Sequence, residues 1–152
     1  MRKTKKVFVS FSLLCLFIVA RAQQSETVSL GKIKMVFTLI TGGIPSYAVY
    51  FNNKPVILPS SLGFKLNVDS SFDRSFQVIR TERRSFDQTW QTVWGETKDV
   101  RNHYEELTVC LESTVSENRL LNIIFRVFED GVGFRYEFPL QPHLKYFIVT
   151  DE

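Results

Sequence analysis

The chain has 152 residues, 44% of them hydrophobic, with 19 Lys and Arg against 16 Asp and Glu and only two cysteines. That length suffices for one hydrophobic core and not for two. Five of the nineteen basic residues lie within residues 1–22, so residues 23–152 hold 14 basic against 16 acidic, a net of −2 that excludes a basic surface for nucleic acid or anionic lipid.

Four of the first six residues are basic, and Val7 to Ala20 form a nearly unbroken apolar run closed by Ala20-Arg21-Ala22. The run is too short to span a bilayer, which takes about 20 apolar residues, and it ends in a signal-peptidase motif. Residues 1–22 are therefore expected to be a secretory signal peptide. The protein would be exported to a periplasmic or extracellular space, with no membrane segment left after cleavage. Cys15 would suit a lipoprotein anchor, but Leu14 precedes it where that processing needs a small residue. Residues 23–152 then keep a single thiol, Cys110, within an alternating pattern, and no intrachain disulfide is possible.

From Lys32 to Ile40 the odd positions are apolar, as in a strand with one buried face. Tyr47, Val49 and Phe51 continue in phase after a Gly-Gly turn. Asn52-Asn53 has the residue types of a two-residue hairpin loop, and Pro55 assigns the returning strand to an edge. Pro59-Ser60-Ser61 is a break, Leu62 to Leu66 a short strand, and Val68 to Ser75 a polar turn. Phe76, Val78, Arg80 and Glu82 to Phe86 predict a longer strand. Leu107, Val109 and Leu111 share one face of the next, with Glu106, Thr108 and Cys110 opposite. Leu120 to Phe128 follows, with Ile124, Arg126 and Phe128 on one side. Glu129-Asp130-Gly131 turns into Val132 to Phe138, and Lys145 to Thr150 starts a last strand. No helical periodicity occurs after the signal segment. The fold class expected is all-β, a sandwich filled by phenylalanines.

Between these strands, Trp90 to Leu107 holds both tryptophans, His103, and a concentration of carboxylates, arginine, asparagine and tyrosine without clean alternation. A site presented by a scaffold and a surface loop capping the core are equally compatible with it. No spacing of His and Cys makes a zinc site, no loop has ordered calcium ligands, and no nucleophile elbow is present. A glycosidase pair from Glu96 and Glu105 would require the two carboxyls to meet. Sugar contact asks for less. Trp94 and Tyr104 offer rings to stack on a pyranose, and Arg101, Asn102 and Glu96 can bridge vicinal hydroxyls.

Six segments go further. Lys54-Pro55-Val56, Ser61 to Leu66, Trp94-Gly95-Glu96, Arg101 to Leu107, Asn122 to Phe138 and Thr150-Asp151-Glu152 occur in an order that resembles the N-terminal domain of glycoside hydrolase family 97. The resemblance covers nearly all of residues 23–152. It implies a galactose-mutarotase-like super β-sandwich that packs on a catalytic (β/α)₈ barrel in exported α-glucosidases and α-galactosidases, with a calcium ion beside the substrate. The acid and the base or nucleophile of the family lie on that barrel, and its sandwich runs on past Glu152. No catalytic residue and no metal ligand is therefore expected in this chain, and hydrolysis by the chain alone is not expected. At Glu105 the family more often has asparagine. Trp94, Glu96, Arg101, Asn102, His103 and Tyr104 are the positions the resemblance turns toward barrel and sugar, as contacts to an α-linked oligosaccharide or as braces between domains. The expected role is carbohydrate binding in support of an active site. A free carbohydrate-binding module and an inactive truncated product are its rivals.

Overall fold

In a computed structural model, residues 24–67, 72–115, 119–142, 144 and 147–151 are described. The signal-peptide expectation and His143 lie outside them. The described residues form strands without a helix. The first sheet is a meander of β1 (Ser25–Leu30), β2 (Ile33–Ile40), β3 (Ile44–Phe51) and β4 (Lys54–Ser61). The second is a meander of β6 (Phe76–Gln91), β7 (Asp99–Ser113), β8 (Leu120–Val127) and β9 (Val132–Glu137). Between them in sequence, β5 (Lys65–Leu66) pairs antiparallel with β10 (Val149–Asp151).

The two large sheets face one another, and the alternation of each strand decides what lies between them. Met35 and Phe37 from β2, Val49 from β3, Leu107, Val109 and Leu111 from β7, and Leu121, Ile123, Phe125 and Val127 from β8 make one buried cluster. Aromatic rings finish it at one end. Phe64 stacks on Phe72 with centroids 5.3 Å apart and meets Tyr136 and Phe138 edge-on at 5.0 and 5.4 Å. This is the phenylalanine-filled sandwich that the composition predicts.

The Asn52-Asn53 hairpin forms with φ of 49° and 62°. Asparagine tolerates this left-handed region, which matches the twist of the flanking strands. β4 is an edge strand, as Pro55 requires, and it runs through Pro59, so the expected break at Pro59-Ser60-Ser61 becomes a register shift inside the strand, with Leu58 and Pro59 against Ala48 alone. An edge strand tolerates proline because its outward N–H has no partner to lose. The sheets are joined at one corner by the turn before β3. Gly43 has a φ of 67°, and a Cβ there would stand 2.4 Å from the Phe76 backbone nitrogen, which donates to the Gly43 carbonyl at 3.0 Å.

Four local expectations change. β1 is a strand that the sequence does not announce, since only Val28 and Leu30 in it are apolar; it forms because β2 offers it a backbone edge. The strand expected from Leu62 to Leu66 shrinks to Lys65–Leu66. Phe72, in the expected polar turn, is fully buried. In β6 the register slips between Val78 and Arg80, leaving Ile79 as a bulge. That single extra residue puts Arg80 on the outer face opposite Cys110, and turns Thr81, Arg83, Ser85 and Asp87 inward.

A two-stranded arm and the candidate functional site

The Trp90 to Leu107 segment is mostly regular structure, contrary to the loss of alternation read from its residue types. Every residue from Arg80 to Gln91 pairs in register with one from Cys110 back to Asp99. β8 accompanies β7 only as far as Glu105, opposite Val127. Beyond that point six residue pairs, Phe86 with Tyr104 through Gln91 with Asp99, stand as a two-stranded arm about 20 Å long at the usual rise per residue. An isolated two-stranded ribbon is weakly stable in water, so the arm is held by contacts at its base. There the Arg83 guanidinium donates to the Thr27 carbonyl at 2.6 Å and to Glu26 Oε2 at 2.7 Å, tying the hairpin to β1.

The tip is residues 92–98. The Thr92 N–H donates to the Lys98 carbonyl at 2.9 Å and its hydroxyl to the Thr97 carbonyl at 2.7 Å, closing the loop. Gly95 has a φ of 139°, a conformation that side chains with a Cβ resist. The loop presents Val93 at 98% exposure and Trp94 at 88%, with Trp90 at 55% on the adjoining strand. Three large apolar side chains at the end of a projecting ribbon are a surface arranged for contact.

The six candidate positions therefore distribute by strand alternation over three places. Trp94 and Glu96 are exposed in the tip loop. Arg101 and His103 share the inner face of the arm, and Asn102 and Tyr104 the outer face. Arg101 is clamped by Asp87, with Nε to Oδ1 at 2.8 Å and Nη2 to Oδ2 at 2.7 Å. The hydrogen bond from Arg101 holds the Asp87 carboxyl below its ordinary range, against the opposing effect of desolvation, and Asp87 raises Arg101 in return. His103 is partly buried opposite Asp87. Its Nδ1 lies 3.4 Å from Glu129 Oε1, within ion-pair reach when protonated but outside hydrogen-bond geometry.

Tyr104 is 6% exposed, which corrects its reading as a stacking platform for sugar. Its ring stacks on Phe86 at 5.1 Å, touches Phe128 at 5.5 Å, and lies 4.4 Å from the centre of the Arg126 guanidinium. Arg126 Nε donates to Glu106 Oε2 at 2.7 Å. The glycosidase pair is also excluded as a local unit. Glu105 sits at the arm's base, accepting from the Ser85 hydroxyl at 2.7 Å, whereas Glu96 is in the loop beyond the far end. The separation is about 20 Å along the strand, outside the roughly 5 to 10 Å that either stereochemical course uses. Among the described residues no three His, Cys, Asp or Glu side chains gather as a cation site.

Asp87, Glu129, Trp90 and Val93 belong to this region and were not among the candidates. The register of the hairpin was the only available signal for Asp87, and only the packing of the β8–β9 turn brings Glu129 near His103.

Comparisons agree with this geometry. A family model described as glycosyl-hydrolase 97 N-terminal matches residues 30–152. A retaining alpha-galactosidase of Bacteroides thetaiotaomicron is 24% identical over 132 residues, 84% of this chain and 19% of that protein. Among solved structures, a glycoside hydrolase family 97 enzyme from a Pseudoalteromonas strain, in complexes with panose and with acarbose, superimposes with a TM-score of 0.77 at 34% identity, over 82% of this chain and 19% of its own. A beta-arabinopyranosidase follows at a TM-score of 0.69 and 26% identity, over 79% of this chain and again 19% of its own. The chain thus spans about a fifth of the length of these relatives. It belongs to the N-terminal domain family of glycoside hydrolase 97.

Proposed function

We propose that this chain is the exported, active-site-supporting sandwich of an α-glycosidase, an α-glucosidase or α-galactosidase, and that it contacts an α-linked oligosaccharide with the tip of its arm. The observation that carries the reading is the exposed Trp94 indole, held about 20 Å beyond the last β8 pairing on a loop closed by Thr92 and shaped by Gly95. An indole face stacks on the apolar face of a pyranose, and the Glu96 carboxylate accepts from hydroxyls beside it. Arg101, fixed by Asp87, and Asn102 supply donors along the arm. At its root Tyr104 packs against Phe86 and Phe128, and His103 faces Glu129.

The chain's own residues bind and orient; bond cleavage belongs to a catalytic domain outside these 152 residues. The basic, apolar and Ala-x-Ala succession of residues 1–22 is the reason for placing the protein outside the cytoplasm. Calorimetric titration of the chain with panose tests the proposal. Saturable heat is expected, with Trp94→Ala weakening binding at least tenfold while the far-ultraviolet circular dichroism stays the same. Absence of heat, or heat unaltered by Trp94→Ala, rejects it.

Val93 favours a second reading, because a bare isopropyl group beside Trp94 suits a protein surface better than a sugar. In that reading the tip braces a catalytic domain. Adding the chain to a separately prepared family 97 barrel should then raise hydrolysis of an aryl α-glycoside, and Val93→Asp should remove the gain.

A further inference from the structure

The outer face of the second sheet carries a notch that the arm does not explain. Gly133 is the second residue of β9, directly opposite Arg126 of β8, and faces outward. Glycine in a strand interior weakens it, so its presence calls for a reason. Neither internal reason applies. Gly133 is absent from the positions with positive φ, and a Cβ built on it would meet no atom within 4 Å. The space above it is open.

That space is a depression of about 190 Å³ lined by Ile124, Arg126, Phe128, Gly133, Phe134 and Arg135. It is smaller than the roughly 300–1,000 Å³ of sites for drug-sized ligands, and admits one ring rather than a chain. Its floor is backbone and hydrocarbon. Each of its two arginines has a carboxylate beside it: Arg126 has Glu106 at 2.7 Å, and Arg135 has Glu137 at 3.6 Å. Arg126 uses Nε for that bond and rests over Tyr104, so its terminal nitrogens remain as donors in a fixed plane. A site with planar donors, an apolar floor and no net charge suits an uncharged, polyhydroxylated ring better than a phosphate or carboxylate, which would need an unpaired cation.

We propose that the Gly133 notch is a subsite for a single neutral pyranose unit, separate from the tip of the arm. The inference shares its ligand class with the proposed function, and the two fail separately because notch and tip lie on different parts of the hairpin sheet. The test is a titration of the ¹⁵N-labelled chain with panose, followed by amide shifts. Saturable shifts are expected at Gly133, Arg126 and Arg135 in the parent chain and in Trp94→Ala. They are expected to vanish in Gly133→Val, whose Cβ has no atom within 4 Å, whose two methyls project into the notch, and whose strand propensity favours folding.

Arg135→Ala supplies a second variant with the notch open and one donor fewer, expected to bind at least fivefold more weakly. Shifts confined to residues 92–98 would overturn the subsite while leaving the arm reading intact. Shifts at Gly133 that persist unchanged in Gly133→Val, or that arise from raising protein concentration without sugar, would overturn it as well, the latter by assigning the face to a second copy of the chain.

Discussion

At the scale of single residues, two side-chain facts lead to measurements. The Asp87 carboxyl is held below its ordinary 3.8 by the Arg101 guanidinium. A carboxyl lowered on folding contributes stability that is fully present above its unfolded value and is lost as pH falls through the folded value. The unfolded chain binds more protons in that window, so stability should rise with pH there and be flat with respect to this group above about pH 5. Following the Asp87 carboxyl carbon by NMR should give a midpoint below that of a model peptide, and Arg101→Gln should move it back up. The second residue is Gly43. Both its left-handed φ and the 2.4 Å approach to the Phe76 backbone forbid a Cβ. Gly43→Ala should cost about 2 kcal/mol or more in urea unfolding, well above the few tenths expected of an exposed glycine that is free of both constraints.

Among the elements, the arm is the one whose stability and function diverge. Its last six residue pairs have no third strand, and its tip is held only by Thr92 and its partners. Amide hydrogen exchange should therefore be slow from Leu107 to Leu111 and fast from Val100 toward Lys98. Replacing residues 88–102 by a two-residue Asn-Gly turn should leave the melting temperature within a few degrees of the parent, since no member of the buried cluster is removed. The same change should abolish any binding that depends on Trp94. A large drop in stability would show that the ribbon supports the fold rather than extending from it. The bulge at Ile79 matters to this element as much as any side chain. By shifting parity once, it sends Arg83 to Glu26 and Thr27 and Asp87 to Arg101, so the arm's inner face is polar where the same strand farther back contributes Phe76 to the core.

For the molecule as a whole, the thiol of Cys110 reports on the integrity of the sandwich. It is 5% exposed, on the outer face of β7 between Arg80 and Asn122. Reaction with a thiol reagent should be negligible in the native protein and become complete over the same urea range as the loss of tryptophan-independent circular dichroism, as a two-state fold requires. Reaction well before that transition would mean that the second sheet opens independently of the first. The core itself was legible in advance. The alternation in β2, β7 and β9 put Met35, Phe37, Leu107, Val109, Leu111 and Tyr136 each on a single apolar face, because a period of two has one solution once one face is apolar; β8, nearly continuous in apolar residues, left its face open, and the side picked out there, Ile124, Arg126 and Phe128, is the outer one.

The all-β class, the Asn52-Asn53 turn, the edge position of β4 and the family resemblance all follow from residue types at neighbouring positions, where local sterics and burial act directly. The rest depended on partners far away in the chain. β1 forms because an edge was waiting for it, and Phe72 is buried because Phe64, Phe76 and Phe138 enclose it. The six candidate residues separate onto a tip and two faces because a paired strand alternates its side chains, whatever their chemistry. The chain's linear order could bring Trp94, Arg101, His103 and Tyr104 close in number; only the pairing of β6 with β7 determined which of them share a surface.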